Sequence, residues 1–85
     1  MTFKQFVKRN ESGREFSDLT NELVRTYLFA NGFKLVIDDP IALHISKSGH
    51  YVVRADGVVT FVPYGANGFV ALQFLTHGDA PSMNF

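Results

Sequence analysis

The chain has 85 residues, 46% hydrophobic, 14% aromatic and 19% charged, with no cysteine and a formal net charge of zero. This composition describes one small globular domain and excludes a disordered chain. The missing cysteines exclude a disulfide framework, a thiolate nucleophile and cysteine metal ligands, and they fit a reducing cytoplasm.

The first segment, MTFKQFVKRN, interleaves Lys4, Lys8 and Arg9 with Phe3, Phe6 and Val7. It lacks the continuous apolar stretch of a secretory signal, and no later run reaches the length of a membrane span. Residues 1 to 11 form a basic segment that can fold as a short helix with Phe3, Phe6 and Val7 on one side. Asn10-Glu11-Ser12 has the glycosylation-acceptor pattern and reads as a surface turn without a secretion signal.

The main helix is expected next. Ser12-Gly13-Arg14-Glu15 has capping-box spacing. Phe16, Leu19, Leu23, Tyr27 and Ala30 then recur at helical intervals. Asn31-Gly32 would end the helix, with glycine in the left-handed conformation of a C-terminal cap.

Strands follow. Phe33, Leu35 and Ile37 alternate with more polar neighbours until Asp38-Asp39-Pro40 interrupts them. IALHIS (41–46) alternates again and is followed by Lys47-Ser48-Gly49, read as a three-residue hairpin loop. HYVVRA and VVTFV flank Asp56-Gly57, a strong two-residue hairpin signal. Tyr64-Gly65-Ala66-Asn67-Gly68 is another turn, FVALQFLT (69–76) the last strand, and residues 77–85 a loose tail. The expected fold is α+β: one main N-terminal helix packed on a four- to five-stranded antiparallel meander, in a single domain spanning residues 1–85.

Loop lengths fix register. Those assumed here pair Leu43 with Val53 and Val53 with Thr60. One sheet face then carries Ile41, Leu43, Ile45, Tyr51, Val53, Ala55, Val58, Thr60 and Val62, under the helix. The other carries Ala42, His44, Ser46, His50, Val52, Arg54, Val59, Phe61 and Pro63. That second face is too apolar for open solvent. Either the chain covers it, with the short N-terminal helix or with Met83 and Phe85 of the tail, or another chain does.

His44, His50, Val52, Arg54, Val59 and Phe61 are therefore the expected partner-binding residues. Phe61 and Val52 would supply apolar area, and Arg54 a bidentate contact to a carboxylate. The last strand offers a second route, edge-to-edge pairing. The expectation is a non-enzymatic protein-binding module that binds a partner or itself, as an inhibitor or adaptor of phage or mobile-element type. The alternative is nucleic-acid binding through Lys4, Lys8, Arg9 and Arg14 with sheet aromatics. No catalytic residue, metal site or cofactor is expected: the three histidines lack ligand spacing, and Ser46 and Ser48 sit on an exposed turn.

Overall fold

The computed structural model describes residues 1–78. Nearly all of the expected tail, including Met83 and Phe85, lies outside the described residues. The elements are α1 (Phe3–Arg9), β1 (Ser17–Asp18), β2 (Glu22–Phe29), β3 (Lys34–Asp38), β4 (Pro40–Ile45), β5 (Gly49–Arg54), β6 (Val59–Pro63) and β7 (Phe69–Thr76). They form two antiparallel sheets, ordered β1-β4-β5-β6 and β3-β2-β7.

The long helix expected around residues 14–30 does not form; that stretch supplies β1 and β2. Leu23, Val24, Thr26, Tyr27, Leu28 and Phe29 are mostly β-branched or aromatic, side chains that suit a pleated surface. The helical period was a coincidence of two apolar strand faces. Inward along β2 point Arg25, Tyr27 and Phe29, and Arg25 is 4% exposed. A buried arginine masks the alternation that would have marked the strand. Asn31-Gly32 turns a hairpin instead of capping a helix. Phe29 N–H donates to the Phe33 carbonyl at 2.9 Å, and Gly32 takes φ 90°. Both motifs need a left-handed glycine, so the dipeptide is ambiguous.

The single meander is likewise replaced. β1 with β2, and β3 with β4, are the two arms of one long bent hairpin, whose halves belong to different sheets. The bend in the second arm is Asp39, at φ 49°. Its N–H donates to the Leu23 carbonyl at 3.0 Å and its carbonyl accepts from Ala55 N–H at 2.9 Å, so it is tied to both layers.

Between the layers Leu19, Leu43, Val52 and Val62 of the four-stranded side meet Tyr27 and Ile37 of the three-stranded side. Thus a second sheet, rather than a helix, covers this face. A smaller cluster of Ile41, Ala42 and Val53 lies on the other face, against Phe3 and Phe6 of α1, Phe16 and Ala55. An extra residue in β4, between the pairs Pro40–Arg54 and Ala42–Val53, lets adjacent Ile41 and Ala42 join one cluster.

The register differs from expectation at both hairpins, and the differences cancel. Ser46 N–H donates to the Gly49 carbonyl at 2.9 Å, so the β4–β5 loop is only Lys47-Ser48. Arg54 N–H donates to the Val58 carbonyl at 3.0 Å, so the β5–β6 loop is Ala55-Asp56-Gly57. One loop is a residue shorter than expected and the other a residue longer. Leu43 pairs with Val52, and Val52 with Thr60. Hence β6, and β4 from Ala42 onward, keep their expected faces, β5 is flipped, and Ile41 at the β4 bulge joins the outer cluster rather than the face expected for it.

Candidate functional site

The outer face of the four-stranded sheet is built on directly opposed residues. His44, Tyr51 and Phe61 pair across β4, β5 and β6, and Ala42, Val53 and Val59 form the neighbouring row. α1 covers the β4 half of this face. Thr2 and Gln5 cap the helix reciprocally, and Lys8 and Arg9 occupy its last turn, where the helix dipole favours cations. Phe3 and Phe6 pack inward while Val7 stays 46% exposed. Each ring withdrawn from water contributes up to about 1.5–3 kcal/mol. The expected self-covering by the N-terminal segment is thus present, but it stops at mid-sheet.

Across the face the aromatic rings form a row. Phe6 meets Phe16 at 4.8 Å between centroids, Phe16 meets His44 at 5.7 Å, His44 meets Tyr51 at 5.8 Å, and Tyr51 meets Phe61 at 4.8 Å. The row is shielded at the α1 end and open at the β6 end, where Phe61 is 42% and Val59 50% exposed. His44 Nδ1 lies 2.9 Å from the Glu15 carbonyl, an acceptor, so this nitrogen carries the proton.

Arg14 completes the patch. The Ser12-Gly13-Arg14 stretch, expected to start a helix, is a loop folded on Asn10. Asn10 Nδ2 donates to the Arg14 carbonyl at 2.8 Å, and Asn10 Oδ1 accepts from the Ser12 hydroxyl at 2.6 Å. Gly13, at φ 80°, supplies the left-handed step. The loop sets the Arg14 guanidinium over the Tyr51 ring, 4.2 Å from its centroid, with Nη2 3.4 Å from the Tyr51 hydroxyl.

The expected partner-binding residues therefore separate. His44, Val59 and Phe61 share the outer face. Val52 is fully buried between the sheets, and His50 points into the core at 8% exposure. His44 and His50, expected on one face, occupy opposite faces. Arg54 is engaged in its own turn, 2.8 Å from Asp56 Oδ2. The Val58 N–H, together with Arg54, holds the Asp56 carboxyl below its ordinary value. Of the nucleic-acid set, Lys4, Lys8 and Arg9 lie on α1 and Arg14 on Tyr51.

Sequence reasoning missed Tyr51, Phe16 and the role of Arg14. One signal for Tyr51 was available in Ser46. Its hydroxyl accepts from Ser48 and Gly49 N–H and donates to the Gly49 carbonyl, favouring the two-residue loop that turns Tyr51 outward.

A second polar constellation sits inside. The extra residue Leu23 in the β2–β7 ladder lets Glu22 and Arg25 both face the core. Arg25 Nη1 donates to Glu22 Oε2 at 2.7 Å and Nε to the Tyr27 hydroxyl at 2.8 Å; that hydroxyl lies 2.7 Å from His50 Nδ1. Burial lowers the His50 pKa, with Arg25 adding to it, and burial raises that of Tyr27. Among the described residues, no three His, Asp or Glu side chains converge to hold a metal ion, and no helix is long and apolar enough to cross a membrane. Compared with known proteins, the chain matches no family model, no curated protein and no solved structure.

Proposed function

We propose that this chain is a small protein-binding module. Its contact surface is the open half of the outer face: Phe61 and Val59 at the centre, Tyr51 under Arg14 beside them, and His44 at the covered edge. One observation carries the reading. The aromatic row across β4, β5 and β6 is shielded by α1 at one end only, leaving Phe61 and Val59 largely open. Tyrosine and arginine are types enriched at binding hot spots, and a ring pre-stacked on a guanidinium loses little freedom on contact. The partner's complementary feature is an apolar side chain flanked by a carboxylate or carbonyl that Arg14 can reach. The role is one of binding rather than chemistry, and an inhibitor or adaptor in a reducing compartment fits it.

The test is capture from the native host by the wild-type chain and by Phe61→Asp and Val59→Asp. Both positions are exposed, so the variants should keep the wild-type circular dichroism while losing the captured protein. Capture unchanged by both substitutions would sink the reading. Retardation of single-stranded DNA or RNA that weakens steeply with salt, and with loss of Lys4, Lys8, Arg9 and Arg14, would replace it with nucleic-acid binding.

A further inference from the structure

We infer that the partner docks as an extended acidic protein segment, which adds a strand to the outer edge of β6 alongside α1. This rests on the outer-face reading and names the chemistry of its partner. β6 ends its sheet, and among the described residues no strand pairs with its other side. The ladder decides which backbone groups are free there. Arg54 N–H donates to the Val58 carbonyl and Tyr64 N–H to the Ser48 carbonyl, so Thr60 and Val62, in step with them, also bond to β5. The N–H and C=O groups of Val59 and Phe61 therefore point away from β5, toward an incoming strand. Their side chains are the exposed pair of the outer face, so one edge offers backbone pairing and apolar area together. Pro63, without an N–H, closes the far end of the edge and keeps the added strand short.

The charge beside this edge selects the occupant. Residues 1–15 hold four of the eight cations, Lys4, Lys8, Arg9 and Arg14, against two of the eight acids. All four are exposed, and among the described residues none is in an ion pair. The segment that carries them is fastened along β5. The Met1 nitrogen donates to the Ala55 carbonyl at 2.8 Å, Phe3 and Phe6 pack on the cluster that contains Val53, and Arg14 lies on Tyr51. Val53 and Tyr51 are the ladder partners of Val59 and Phe61. The cations thus border the open edge along its length, where carboxylates of an added strand would meet them.

Other occupants fit less well. Edge pairing with a second copy would set both copies' cations on one continuous face, where like meets like. A nucleic acid has no strand backbone to offer the edge, and the Tyr51 ring, on which a base would stack, already carries Arg14.

The probe is a display library of random dodecapeptides, panned on the full-length chain. Selected peptides should be net acidic, with apolar residues at alternating positions. The tightest of them should slow amide hydrogen exchange at Val59 and Phe61, followed by nuclear magnetic resonance. Lys4→Gln/Lys8→Gln/Arg9→Gln, at exposed positions, should keep the wild-type circular dichroism and bind that peptide about tenfold more weakly, as loss of several exposed ion pairs implies. A library without binders, or with binders that carry no acidic residue, would overturn the inference. So would a bound peptide that leaves exchange at Val59 and Phe61 unchanged, or tighter binding of oligothymidylate than of any peptide. The two readings fail separately. Peptide binding that survives Phe61→Asp refutes the outer-face site itself. Binding lost in Phe61→Asp, with exchange at Val59 unaltered by peptide in the wild type, keeps that site and removes only the added strand.

Discussion

Tyr27 and His50 join the two sheets by a buried hydrogen bond, 2.7 Å from hydroxyl to Nδ1. The hydroxyl already accepts from Arg25 Nε, so its own proton goes to Nδ1, and the neutral imidazole carries its hydrogen on Nε2. Tyr27→Phe keeps the ring and strands two buried polar atoms. It should cost about 1–3 kcal/mol, read as a lower urea midpoint with an unchanged slope.

Acid should weaken the fold through His50. Burial, with Arg25 nearby, holds its folded pKa below the ordinary value of 6.5. Between the folded and unfolded values the unfolded chain binds the extra proton. This contribution is therefore complete above about pH 6.5, declines as the pH drops below that, and levels off once the folded form is protonated too. The groups facing the ring are the Tyr27 hydroxyl, Phe69 and Tyr64, with Arg25 beyond. Urea midpoints taken from pH 8 to pH 5 should fall, and His50→Gln should flatten that slope.

The Glu22–Arg25 pair is a buried ion pair at 2.7 Å. Removing one partner leaves a desolvated charge, so Glu22→Gln should destabilise by about 3–5 kcal/mol. Replacing both, as Glu22→Leu with Arg25→Met, should return most of that loss. Chemical denaturation of Glu22→Leu, Arg25→Met and the double variant measures the coupling.

Asp39 occupies the left-handed region, which aspartate tolerates and β-branched residues do not. Asp39→Val should cost about 1–2 kcal/mol, whereas Asp39→Gly should be close to neutral. Thermal unfolding of both variants separates backbone strain from loss of the carboxylate.

Much of the strand layout after residue 33 was readable, because Leu35 and Ile37 alternate cleanly and Asp39-Pro40, Gly49 and Gly57 punctuate the chain. What failed depended on contacts distant in sequence. Arg25 reads as a solvent residue until Glu22, Tyr27 and His50 surround it, so β2 was mistaken for a helix. The orientation of β5 hung on a single residue in each flanking loop. His44, Val59 and Phe61 were nevertheless placed on one face, since both errors fell on the strand between them. Tyr51 and Arg14 were lost for the same reason, and their pairing spans 37 positions.

The bent hairpin has a mechanical consequence. Because each of its arms contributes to both layers, neither layer can peel away without breaking strands that the other relies on. The molecule has no seam along which to come apart, so far-ultraviolet circular dichroism and tyrosine fluorescence should report one and the same cooperative melting event.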